Sequence, residues 1–251
     1  MNARLQGRTA LVTGSTDGIG AGIARVLADE GAHVIVSGRN TDRGEKIAAE
    51  IAERGGAATF VRADLADGGA AARELANAVR AIAGRPLDLL VNNAARLIAP
   101  GPTAEIGEDL IDGALAVNIK AAILLTGLIA PGMAARGAGA IVNVGSINGV
   151  VGMAGSALYS ATKAAIHSLT KSWAAEYGPS GVRVNTVAPG PTMTERNAAF
   201  ADHIAPIVGR APSRRMSTTD EVARAVVFLA SDEAAHIHGA TLPVDGGLSV
   251  V

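Results

Sequence analysis

The sequence contains no cysteine. That excludes disulfides and thiol chemistry, and with 49% hydrophobic residues over 251 positions the chain can build a core that needs no such staples. An excess of either charge is also missing. The formal net charge is −1 and charged residues make up 18%, so nothing electrostatic favours nucleic acid or an acidic membrane as partner. No proline-rich, serine-rich or charged linker divides the chain and no internal repeat appears, so one domain spanning 1–251 is expected. The longest apolar stretch, Ala121 to Ala135, is too short to cross a bilayer and contains Pro131. The first strand pattern begins at Thr9, which leaves no room for a signal peptide. A soluble, cytoplasmic protein without membrane contact is the expectation. The 5 histidines are scattered, and His236-x-His238 has no third ligand beside it, so no catalytic metal is expected.

What is present is alternation. Short runs rich in Val, Ile and Leu fall at Thr9–Thr13, His33–Ser37, Thr59–Arg62, Asp88–Val91, Ala140–Val144, Val182–Val187 and Thr241–Val244, separated by longer helical patterns. The rhythm predicts an α/β fold, a doubly wound sheet of seven parallel strands with helices on both faces. Ligands of such sheets bind at the carboxyl ends of the strands, where this chain concentrates Gly, Asn, Asp and Ser.

The first of these connections is Thr13-Gly14-Ser15-Thr16-Asp17-Gly18-Ile19-Gly20. Glycines between a strand and a helix let the backbone turn tightly and approach a pyrophosphate at the helix N-terminus, as in a Rossmann-type dinucleotide site; the spacing is Gly-x3-Gly-x-Gly rather than the commoner Gly-x-Gly-x2-Gly, and an ordinary glycine-rich turn is the alternative. The second strand ends at Gly38-Arg39, without the carboxylate that would hold an unphosphorylated ribose. A guanidinium there can fork onto a phosphate, which points to NADP(H) without excluding NAD(H). Asp17 opposes that reading with a negative charge near the same phosphate, and the alternative for Arg39 is a solvated strand end. Asp64 can accept from an adenine amino group or cap the helix that follows. Asn92-Asn93-Ala94-Ala95 either passes under a cofactor or makes a turn.

Tyr159 and Lys163 are four residues apart and share one face of a predicted helix, Gly155 to Tyr177. A fixed ammonium near a phenol favours the phenolate and is expected to lower the tyrosine pKa toward neutrality. Ser146, at the end of a strand, can hold a carbonyl or alcohol oxygen beside it. A second predicted helix, about Asp109 to Ala135, carries Lys120 as its only charge after Asp112 and encloses Asn118. A helix apolar nearly all round is expected to be buried nearly all round, so the two charge-poor helices are read as a subunit interface, or else as faces covered by loops of the same chain.

Together these residues resemble the short-chain dehydrogenase/reductase family over the whole chain. The likeness rests on Thr13-Gly14-x3-Gly18-Ile19-Gly20, Asp64, Asn92-Asn93-Ala94, Asn118, Ser146, Tyr159-x3-Lys163, Pro189-Gly190 and Asp245-Gly246-Gly247. Ala95 stands where the family has glycine, and Asp17 where its NADP-dependent members carry a basic residue. The resemblance implies hydride transfer between a nicotinamide and a carbonyl carbon, with Asn118, Ser146, Tyr159 and Lys163 as the catalytic set. Tyr159 would be the general acid in reduction and the base in oxidation, Lys163 would bind the nicotinamide ribose, Ser146 would position the substrate oxygen, and Asn118 would hold a water. The dinucleotide would lie against the glycine loop from Gly14 and Thr16 through Gly20, then Arg39, Asp64 with Leu65, Asn92 with Ala94, Tyr159, Lys163, and Pro189, Gly190 and Thr192. Separately, the two charge-poor helices are expected to build a homotetramer, or failing that a dimer.

For the substrate, Arg96, Leu97, Ile147 to Ser156 and an aperiodic segment, about Pro191 to Met216, are read as pocket and mobile lid. Ile147, Val150, Val151, Met153, Met193 and Phe200 make an apolar lining suited to a small aliphatic or alicyclic ketone or alcohol. Arg96 and Arg196 could grip a carboxylate or lie on the surface. Arg214 and Arg215 are assigned to the surface or to lid anchoring. A 3-oxoacyl carrier-protein or acyl-CoA reductase is the alternative, for which Gly178-Pro179-Ser180-Gly181 and a lone Arg136 offer little basic dock; a non-catalytic NADP-binding sensor is the remote one.

Overall fold

The computed structural model describes residues 3–198 and 201–251. Phe200 lies outside them. Seven strands form one parallel sheet, β1 (Thr9–Thr13), β2 (His33–Gly38), β3 (Ala57–Arg62), β4 (Leu89–Asn92), β5 (Gly139–Val144), β6 (Val182–Pro189) and β7 (Thr241–Val244), in the order β3-β2-β1-β4-β5-β6-β7. The helices are α1 (Gly18–Asp29), α2 (Thr41–Glu53), α3 (Gly69–Ala83), α4 (Glu108–Leu115), α5 (Ala121–Arg136), α6 (Ala157–Tyr177), α7 (Glu195–Ala198), α8 (Ala201–Val208) and α9 (Thr219–Ala230). The strand alternation sorts side chains between two cores. Ala10, Val12, Val34 and Val36 face α1, α2 and α9, while Leu11 and Ile35 face α3, α5 and α6. Strand order reverses between β1 and β4, and the crevice outside their carboxyl ends is where such sheets bind ligands.

The stretch read as one helix is interrupted. Between α4 and α5 the residues Ala116–Lys120 form a π-helical turn, which carries Asn118, 3% exposed, into the protein. Nor is this stretch buried all round: its inner face packs on α3 and the sheet, but Leu115 and Ile123 are 41% and 43% exposed. The whole helical run Glu108–Arg136 is long and apolar enough to cross a membrane by composition alone, yet its inward side chains belong to the core under the sheet. The segment read as an aperiodic lid holds α7 and α8, a correction with a simple cause: Pro206 lies inside α8 and hides its periodicity. Ile207 of α8 packs against Ile147, Ala211 and Leu248. At the far end of the segment Arg215 pairs with Glu221 of α9 at 2.6 Å.

A buried polar ladder seats α6 on the sheet. Asn92 Nδ2 donates to Asn143 Oδ1 (2.9 Å), Asn143 Nδ2 donates to Thr170 Oγ1 (2.8 Å), and Thr170 and Thr186 share a hydroxyl bond (2.6 Å). Asn92 Oδ1 is left without a partner among the described residues, but the bonds of Asn143 and Thr170 tie α6 to the sheet in one register and so help to set the direction of Tyr159 and Lys163.

Candidate active site

The glycine loop is shaped by close approach. Gly14 has φ +62°, and a Cβ there would meet Ala94 Cα at 2.8 Å; a Cβ on Gly20 would collide with the Gly14 carbonyl and Asn93 Nδ2. Asn93, rather than Asn92, fastens this loop, donating from Nδ2 to the carbonyls of Thr13 and Gly14, both at 2.9 Å. Asn92 turns its side chain inward to the ladder. The first residue outside α1, Asp17, makes no side-chain cap, so the first-turn amides of α1 remain available to an anion. The Asp17 carboxylate instead pairs with Arg43 of α2 at 3.2 Å, a partner that the sequence did not announce. Arg39 is exposed and has no ion pair among the described residues. A nicotinamide dinucleotide fits this donor set, with uncapped first-turn amides of α1 available to its diphosphate. Thr16 and Ile19 are half-buried in the loop wall and Leu65 is buried. Asp64 caps the short turn Leu65–Asp67 by accepting from Ala66 N at 3.1 Å, and Gly190 lies so close to Asp245 that a Cβ would meet its Cα at 2.9 Å. Thr192 is 1% exposed, and its hydroxyl is taken up by Gly190 O and Ser217 Oγ, both at 3.0 Å.

The four residues expected to act together are brought together. Asn118 is clamped by Arg96: its Oδ1 accepts from Arg96 N (2.6 Å) and its Nδ2 donates to Arg96 O and Thr162 Oγ1 (3.2 Å each). Thr162 is the neighbour of Lys163, so the π turn and α6 are joined at the site. Lys163 is 4% exposed; its Nζ donates to Val144 O at 2.8 Å and lies 5.6 Å from the centre of the Tyr159 ring. Thr13, Asn92, Asn118 and Lys163 border an internal cavity of about 10 Å³, the room of roughly one water. Ser146 is buried, and its Oγ accepts from Asn148 N at 3.2 Å.

The expectation that Lys163 draws the Tyr159 pKa down is overturned here. Tyr159 is half-buried, but protein crowds the phenol enough that burial pushes its pKa up to about 12, against a smaller downward pull from a Ser146 hydrogen bond. Burial also pushes Lys163 down to about 8. Both groups are desolvated, and burial is the largest cause of each shift. His167, one turn beyond Lys163, went unnoticed in the sequence although the four-residue spacing marks it. Its ring fills the space that a Cβ on Gly145 or Gly149 would need, its Nε2 is buried without a partner among the described residues, and burial, then the Lys163 charge, hold its pKa below the usual value.

Beside Ser146 and Tyr159 opens a cavity of about 210 Å³ whose other walls include Leu97, Ile98, Met153, Pro191, Ile204 and Ile207. Arg96 does not line it; its guanidinium lies over Gly113 of α4. Arg196, Val150 and Met193 are exposed and likewise absent from the wall.

A family model described as Enoyl-(Acyl carrier protein) reductase matches residues 14–249. The 2,5-dichloro-2,5-cyclohexadiene-1,4-diol dehydrogenase LinX of Sphingobium indicum is 37% identical over 100% of this chain and 99% of that protein. A solved short chain dehydrogenase/reductase family protein is 42% identical, with a TM-score of 0.90 over 99% of this chain and all of that one, 100%. A Beutenbergia cavernae protein assigned as an NAD(P)-dependent gluconate 5-dehydrogenase, solved with NADP at low occupancy, is 40% identical with a TM-score of 0.93 over 100% of both chains.

Proposed function

The chain belongs to the short-chain dehydrogenase/reductase family, and from that premise we propose that it moves a hydride between NADP(H) and the carbonyl or secondary alcohol of a small, mainly apolar substrate. The observation that carries the reading is the convergence of Asn118, Ser146, Tyr159 and Lys163 beside a mainly apolar cavity. The nicotinamide, when bound, supplies the hydride chemistry. The protein's part is geometry and protons. Ser146 Oγ and the Tyr159 hydroxyl bracket the substrate oxygen; Tyr159 gives its proton to that oxygen in reduction and takes it back in oxidation. Lys163 lies behind the phenol, where its charge opposes burial as the proton leaves, and Asn118 holds the π turn against α6. Initial rates with a panel of ketones and alcohols, with NADPH, NADH, NADP⁺ and NAD⁺, test the assignment, and no turnover of any would sink it.

The carrier-protein alternative, which the description of the family model favours, needs a free basic dock. Arg136 does not offer one, because its guanidinium donates to the carbonyls of Pro86, Leu87 and Ala138 and pairs with Asp88 at 2.9 Å.

For the cofactor, NADPH should exceed NADH by at least about tenfold in kcat/KM. A forked guanidinium–phosphate contact contributes ~1.5–3 kcal/mol. Arg43 offsets the Asp17 charge that would otherwise oppose it. Arg39→Ala should therefore lower kcat/KM for NADPH about tenfold or more and leave NADH nearly unaffected; equal wild-type values for the two cofactors would show Arg39 to be a surface charge. Gly38→Asp is a harder test than the sequence implies, since its Cβ would meet Thr16 Cγ2 at 2.6 Å and Thr16 must turn aside.

The exposed stripe of Leu115 and Ile123, with the small residues Ala161, Ala164 and Ser168 on the outward face of α6, supports self-association as a homotetramer, or as a dimer. Light scattering at micromolar concentration should give a tetramer or dimer, and Ile123→Glu or Ser168→Glu should shift it toward monomer. A monomeric wild type rejects the reading. Ala122 is buried at 7% exposure, so a charge there would disturb the core rather than report on the interface.

A further inference from the structure

The cavity beside Ser146 and Tyr159 is chemically one-sided. No charged side chain and no histidine lines it among the described residues. Ser146 and Tyr159 are committed to the reacting oxygen, which leaves two polar side chains, Asn148 and Asn197. Each amide uses one N–H within the protein. Asn148 Nδ2 donates to Ser156 Oγ at 2.9 Å, and Asn197 Nδ2 donates to Thr192 O at 2.8 Å. Neither Oδ1 accepts a hydrogen bond among the described residues, where the remaining bonds of both residues run through Nδ2 and the backbone. An amide oxygen accepts and cannot donate. The polar capacity left in the cavity is therefore neutral, with an unpaired acceptor oxygen on each amide.

We propose that the substrate is an uncharged diol, or the matching hydroxyketone, and that Asn148 Oδ1 accepts a hydrogen bond from its second hydroxyl, with Asn197 Oδ1 as a further acceptor. The proposal rests on the reading of this cavity as the alcohol or carbonyl site. Asn148 N donates to Ser146 Oγ at 3.2 Å, so the amide and the serine are fixed to each other and the second hydroxyl is read at a set distance from the reacting one. A substrate whose polar groups only accept, such as a thioester, gives these oxygens no partner. A carboxylate would face their negative ends with no cation to pair it, so an anionic substrate is disfavoured more strongly still.

The test measures initial rates of the full-length enzyme with NADP⁺ on cyclohexanol, cis- and trans-1,2-cyclohexanediol and 4-hydroxycyclohexanecarboxylate. At least one diol should exceed cyclohexanol by about tenfold or more in kcat/KM, with the carboxylate lowest, because a site built to bind a hydroxyl rejects the analogue lacking it. Asn148→Leu should cut the diol-to-cyclohexanol ratio about tenfold, mainly through KM. A merely structural role would lower both substrates together and leave the ratio alone. Asn197→Leu provides a second variant should the first fail to fold, and its ratio should fall as well. Equal wild-type values for diol and cyclohexanol, or an unchanged ratio in the variants that fold, overturns the proposal and leaves the alcohol dehydrogenase reading standing. Turnover of no alcohol with either cofactor overturns both.

Discussion

Tyr159→Phe should lose on the order of 10²–10⁴-fold in kcat while keeping cofactor binding and the fold, because general acid–base catalysis of this kind contributes about that much and the change deletes one hydroxyl. Stability at pH 7 should hardly change. A phenol pushed up to about 12 is neutral in the folded protein, as it is in the unfolded chain, so no linkage favours either side there. The same value makes a directional statement. Reduction starts from the protonated phenol and needs no titration, whereas oxidation needs the phenolate, a fraction on the order of 10⁻⁵ at pH 7 when the pKa is about 12. Alcohol oxidation by wild type should therefore climb about tenfold per pH unit through the neutral range, and ketone reduction should not. Residual kcat above about a tenth of wild type in Tyr159→Phe would remove the tyrosine from its assigned role.

Lys163→Met is the second large effect, and it separates function from stability. Activity should fall by about 10² or more, since the variant removes the one charge placed to offset the phenol's changing proton. The fold should tolerate it. Folded Lys163 sits at about 8 against an ordinary value of 10.5. The unfolded chain therefore binds more protons between those two values, and wild-type stability rises with pH from about 8 toward 10.5. Below about 8 the penalty is present in full, and the shift corresponds to ~3 kcal/mol for the cofactor-free protein. Methionine removes that penalty but strands Val144 O, which loses its 2.8 Å donor at a cost of ~1–3 kcal/mol. The two nearly cancel, so denaturant midpoints at pH 7 should be similar. The difference between wild type and variant should grow in favour of wild type between pH 8 and 10. A wild-type stability that is flat over that interval, relative to the variant, would mean that the Lys163 ammonium is solvated.

How well the sequence read depended on the range of the interaction involved. The five inner strands were legible because burial on both faces forces continuous Val, Ile and Leu runs, and the glycine loop because tight backbone approach admits no side chain at Gly14 or Gly20. Errors fell at ends and interruptions. β2 and β6 run on to Gly38 and Pro189, the π turn at Ala116–Lys120 has no signature in hydrophobic spacing, and Pro206 concealed α8.

The sequence by itself determined the order of elements, the four-residue spacing that stacks Tyr159 and Lys163 on one face, and the absence of a carboxylate at the end of β2, since each is local and follows from backbone period or residue identity. Only the tertiary structure decided what surrounds those residues. Arg43 of α2 reaches Asp17, Arg96 turns away to Gly113, and the ladder from Asn92 to Thr186 joins strands and α6 from distant parts of the chain. The protonation of Tyr159 belongs to the same class. Spacing supplied the ammonium, but desolvation depends on every atom packed around the phenol, and that sum reversed the sign of the shift.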